Sequence, residues 1–117
     1  MKNLKEKYIE LCLKLDAADQ ITNTRKFNQA MRSLNKLSIY LDENRAEAAF
    51  LVELLLHENF SVRGYAALRC YGMGINSEQA LATMKEVFKN APIGNLRTNI
   101  GLKLGIISGR IILPTSK

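Results

Sequence analysis

Leu54–Arg69 reads LLLHENFSVRGYAALR, and this stretch decides the fold. The apolar run Leu54-Leu55-Leu56 is helical in character and stops at the polar His57-Glu58-Asn59. A second helical run starts at Ser61-Val62-Arg63, with Val62, Ala66, Leu68 and Cys70 as its buried positions. Two helical runs joined by so short a polar turn make an antiparallel hairpin.

The same periodicity extends in both directions and predicts about six helices with no strand. Asn3, a good N-cap with Glu6 three residues on, opens the first helix in a pattern close to a capping box, and Leu4, Tyr8, Leu11, Cys12, Leu15 and Ala18 form its apolar stripe. Thr22–Thr24 offers the next cap, ahead of Phe27, Ala30, Met31, Leu34, Leu37 and Leu41. The third helix is expected to turn Ala46, Ala49, Phe50, Leu54 and Leu55 inward. The fourth, from about Ser61 to Tyr71, ends in the glycine signal Gly72-Met73-Gly74. Ser77 caps a fifth, with Ala80, Leu81, Met84, Val87 and Phe88 inward, and Asn90–Gly94 breaks it. The sixth begins near Asn95 and buries Leu96, Ile100, Leu104 and Ile107. Gly101 and Gly105 each weaken it by about 1 kcal/mol relative to Ala, so close packing against a neighbour is expected there. Ile111, Ile112 and Leu113 are expected to cover the end of the core. Six helices at this spacing divide into three hairpins of roughly forty residues, the period of a helical repeat array; a plain six-helix bundle is the other arrangement that fits.

A chain of 117 residues accommodates one domain, 1–117, with a self-sufficient core. Glu53 and Arg110 interrupt the longest apolar stretches, so no membrane span is expected, and MKNLKEKYIE lacks the apolar core of a signal peptide. A cytoplasmic location follows as the expectation. Cys12 and Cys70 lie in apolar helical patterns and read as small buried hydrophobes. Charge is unevenly distributed. Residues 1–60 are neutral overall, with nine basic and nine acidic groups, so the whole net charge of +6 lies in residues 61–117. A one-signed half steers association with an oppositely charged partner, or simply aids solubility.

Taken in order, YIELCLKLDAA, RKFNQAMRSLNKL, LLLHENFSVRGYAA, NSEQALATMKEV and a last helix closing with Gly109 and Pro114 resemble a family of small bacterial HEAT-like proteins of unknown function. In that family a short polar turn precedes Val-Arg, as Val62-Arg63 does here, and small Ala residues follow. The family's turn commonly carries two prolines that His57-Glu58-Asn59-Phe60 lacks. The resemblance implies a HEAT/armadillo-like right-handed solenoid. Folds of this kind also occur among immunity proteins that neutralise toxins in contact-dependent competition between bacteria, which is an analogy of fold alone.

Residues that carry chemistry are sparse. His57 stands at the hairpin turn beside Glu58, where a capping role fits better than acid–base work. Asp16 and Asp19, and Glu43 and Glu47, are carboxylate pairs at helical spacing, but neither pair has a third ligand at metal-binding spacing. Gly72-Met73-Gly74 lacks the context of a phosphate loop, and Cys70 has no neighbouring His to activate it. The expectation is a protein that is not an enzyme and uses no cofactor, metal or small-molecule substrate.

Binding is therefore the expected function. In a HEAT-like array the second helix of each hairpin lines the concave face. Helices two, four and six would then present Arg25 and Arg32; Arg63, Tyr65 and Arg69; and Arg97, Asn99, Lys103 and Arg110. The candidate partner-binding set is Arg63, Tyr65, Arg69, Arg97, Asn99, Lys103 and Arg110, a composition typical of interface anchors. Arg63 has an equally good structural reading, as a bridge between repeats. Two partner classes fit: a cognate toxin bound 1:1, and nucleic acid bound through the basic half. For a basic toxin the acidic groups Asp16, Asp19, Asp42, Glu43 and Glu47 would be the contacts instead.

Overall fold

The computed structural model describes residues 3–109. These form α1 (Leu4–Gln20), α2 (Thr24–Glu43), a 3-10 turn (Arg45–Ala48), α3 (Phe50–Leu54), α4 (Phe60–Met73), α5 (Ser77–Asn90) and α6 (Asn95–Ile107). The protein is all-α, with no strand among the described residues. Arg110, Ile111, Ile112, Leu113 and Pro114 lie outside them.

Local sequence explains most helix ends. Asn3 accepts from the Glu6 N–H at 2.8 Å and Glu6 reaches back to the Asn3 N–H, completing the capping box. Within the Thr22–Thr24 stretch it is Asn23 that caps α2, by accepting from the Lys26 N–H. Asn59 caps α4 by accepting from the Ser61 and Val62 amides. Gly74 ends α4 in the left-handed region (φ 72°), where a side chain would be strained. Ser77 does not cap α5; it is the first helical residue and Asn76 precedes it.

Helices α1 and α2 pair, as do α3 and α4, and α5 and α6; α4 also packs on α1, α5 and α6. This central position accounts for α4 burying Val62, Gly64, Tyr65, Ala66, Ala67, Cys70 and Met73, on more than one face. Leu68 is only half-buried. At Gly64 an added Cβ would come 2.9 Å from Leu96 Cδ1, so the glycine is what lets α6 lie so close. Gly101 does the same for α5, since a Cβ there would meet the Phe88 ring at 2.6 Å.

The third segment departs from the expected phase. Ala46 and Ala49 are exposed, while Ala48, Leu51, Leu54 and Leu55 enter the core. The 3-10 turn has about three residues per turn in place of 3.6, which rotates the inward set.

Two carboxylates of α1 tie the fold together. Asp16 accepts from Ser61 Oγ (3.1 Å) and Asn59 Nδ2 (3.3 Å) at the start of α4. Asp19 accepts from the Asn95 backbone N–H (2.9 Å) and from Asn95 Nδ2 (3.0 Å) at the start of α6. Both place negative charge at a helix N-terminus, where it is favourable. Gly94 leaves room for the second contact, because a Cβ there would sit 2.6 Å from Asp19 Oδ2. Asp19→Ala should therefore cost about 1–2 kcal/mol in urea unfolding, the usual loss of a cap. An unchanged midpoint would remove Asp19 from this role.

Candidate concave binding groove

Side chains of α2, α4 and α6, with Tyr8 of α1, line one groove. It has a volume of about 380 Å³. Buried Tyr8 and Leu34 with half-buried Leu68 form its apolar floor, and Met31, Leu102 and Ile106 complete the apolar lining. Asn35, Ser38, Arg69, Asn99 and Lys103 supply the polar lining. The volume falls within the roughly 300–1,000 Å³ common for binding clefts. Of the seven candidate residues, Tyr65, Arg69, Asn99 and Lys103 line this groove.

Tyr65 contributes to it from within the core. The residue is only 6 % exposed, and its carbonyl accepts from the Tyr8 hydroxyl at 3.2 Å. Its own hydroxyl is buried with no partner among the described residues. Burial holds that hydroxyl's pKa well above the ordinary tyrosine value, with Asp19 adding to the effect.

Arg69 and Lys103 are the groove's cations. Arg69 lies 3.7 Å from Asp42 Oδ1, which is beyond hydrogen-bond reach, and its Nε is buried without a partner among the described residues. Asn99 is exposed and Lys103 half-buried.

Arg63 and Arg97 are placed elsewhere. The Arg63 guanidinium donates to Glu86 Oε1 (2.9 Å) and Oε2 (3.0 Å) on α5, and to the carbonyls of His57 (2.7 Å) and Glu58 (3.1 Å) in the turn. It also stacks 4.7 Å above the Phe60 ring. Arg97 donates from Nε to the Phe88 carbonyl at 3.0 Å and lies 5.1 Å from that ring's centre. Both arginines thus fasten their helices to α5 or to the hairpin turn. Arg25 and Arg32 are exposed on α2, and Arg110 is outside the described residues. His57 caps the turn, with Nδ1 accepting from the Asn59 N–H at 3.0 Å.

Among the described residues no three His, Cys, Asp or Glu side chains gather closely enough to hold a metal ion, and no helix is long and apolar enough to cross a membrane. Both cysteines are free and buried. Burial raises the Cys70 thiol from 9.0 to about 11 and pushes Cys12 higher still, so neither is set up as a thiolate nucleophile at neutral pH. A scan of protein-family models, a search of curated proteins and a search of solved structures each return no match.

Proposed function

We propose that this chain is a non-enzymatic HEAT-like scaffold that binds another protein through the groove between α2, α4 and α6. The observation that carries the reading is the groove itself. It sets two cations and two amides from three helices around an apolar floor. Cationic and amide groups around an apolar centre resemble the anatomy of a protein interface. In its specific form, the protein is a cytoplasmic immunity protein that neutralises a cognate bacterial toxin in a 1:1 complex, with charge complementarity speeding capture.

The same net charge of +6 also fits nucleic acid. Two of the arginines that would serve it, Arg63 and Arg97, are bonded within the fold, and Tyr65 is too buried to stack on a base. Those engagements favour the protein partner.

Co-expression with the polypeptide encoded immediately upstream tests the proposal. A 1:1 complex by light scattering, with restored growth of cells that express that polypeptide, is the expected result. No complex and no protection, together with a nucleic-acid mobility shift that weakens steeply with salt, would replace it with the second class.

A further inference from the structure

We infer that the groove takes an acidic amphipathic segment of the partner, one that sets a carboxylate on Arg69 and an apolar side chain on the floor beneath it. This inference rests on the protein-binding reading above and specifies its chemistry.

Three observations converge on Arg69. Its Nε is buried without a partner among the described residues, and its Nη2 faces Asp42 Oδ1 only at 3.7 Å, a loose ion pair beyond hydrogen-bond reach. The side chain as a whole keeps 26 % of its surface exposed, so an incoming carboxylate can fork onto the terminal nitrogens in a charge-assisted geometry. Gly72, less than one turn further along α4, makes the slot: a Cβ there would meet Arg69 Nη2 at 3.0 Å. Lys103, on the facing helix α6, supplies a second positive charge across the groove, and no carboxylate lines it among the described residues.

The rest of the lining selects a peptide segment over a polyphosphate. Leu34 and Leu68 give an apolar floor, and Leu102, 46 % exposed, is an apolar side chain still open to solvent at its edge. Asn35 and Asn99 offer both donors and acceptors, which suit a peptide backbone. A nucleic-acid strand would need a longer run of cations and an accessible aromatic face.

The test is a titration of the isotopically labelled full chain, followed by amide NMR, with a synthetic helical peptide bearing leucines on one face bordered by glutamates. Three controls accompany it: the same peptide with lysines for glutamates, the same with alanines for leucines, and an oligothymidylate. The acidic apolar peptide should perturb amides around Asn35, Arg69, Gly72 and Lys103, and the controls should not. Arg69→Gln and Gly72→Ala should each weaken it by about tenfold, as expected when one charge-assisted contact is lost. Gly72→Ala separates recognition from folding, because it favours the helix while crowding the guanidinium; Lys103→Gln serves if Arg69→Gln does not fold.

Equal binding of the lysine peptide, shifts confined to other surfaces, no binding at all, or affinities within about twofold in the variants would overturn the inference. Oligothymidylate shifting the same amides would assign the groove to nucleic acid. A growth-protecting complex that tolerates Arg69→Gln would overturn the groove chemistry while leaving the protein-binding reading in place.

Discussion

Arg63→Ala is expected to lower the unfolding free energy by about 2–4 kcal/mol, more than any other surface-connected arginine change in this chain. The side chain is only 15 % exposed and has four hydrogen-bonding contacts. Glu86 is 43 % exposed, so solvent screening reduces the worth of that ion pair. The larger part of the loss comes from the His57 and Glu58 carbonyls, which lose a cationic donor at the turn, and from the uncovered Phe60 ring. Arg63→Lys should recover only a fraction, since an ammonium cannot fork onto a carboxylate and reach two carbonyls at once. Chemical denaturation of the two variants checks this. A loss below about 0.5 kcal/mol for Arg63→Ala would return the residue to the pool of free surface cations.

That result bears on what the sequence could reveal. The hairpin at Leu54–Arg69 was legible because its polar turn and flanking apolar spacing are local. Which arginines face the groove was not legible in the same way. Arg63 and Arg69 are six residues apart, roughly 240° around a helix, so they cannot share a face. Arg97 and Lys103 are separated by the same interval. In each pair the first residue turns to α5 or the turn and the second to the groove. Tyr65 with Arg69, and Asn99 with Lys103, are four apart and do share a face. The helical period therefore separates the two sets, but the partners that hold Arg63 and Arg97, Glu86 and Phe88, come from another helix and from tertiary contact.

The acidic groups teach a related lesson. Asp16 and Asp19 look like a carboxylate pair from spacing alone, yet each serves a different helix N-terminus. No local rule connects Asp19 with Asn95, which lies 76 residues away in sequence. The phase of the third segment was equally hidden, because a 3-10 turn and an α-helical turn can begin from the same residues.

The second large effect is alkaline. Tyr8, Cys12, Tyr65 and Cys70 are buried together in the core, and burial raises the pKa of all four. Below the unfolded thiol value of 9.0 each is protonated in both states, so their contribution to stability is fully present. Above it the unfolded chain releases protons that the folded chain keeps, and stability must fall as pH rises. For Cys70 the decline levels off near the folded value of about 11; for the other three it continues further. Acting together the four groups should lower stability by up to about 4 kcal/mol per pH unit near pH 10, enough to unfold a domain of ordinary stability by roughly pH 11. The chain has no Trp, so tyrosinate absorbance is unobscured, and that of Tyr8 and Tyr65 should appear only with the loss of helical circular dichroism. Tyr65→Phe removes a hydroxyl that has no partner among the described residues. It should leave neutral-pH stability unchanged or higher and flatten the alkaline slope by about 0.7 kcal/mol per unit at about pH 10, rising toward about 1.4, the worth of one proton, at higher pH. Cys70→Ala should flatten it similarly up to its folded value. A stability that stays level from about pH 9 to pH 11, or tyrosinate forming in the folded state of a variant carrying Tyr40→Phe and Tyr71→Phe, would show that water reaches these groups and that the core around α4 is looser than its packing implies.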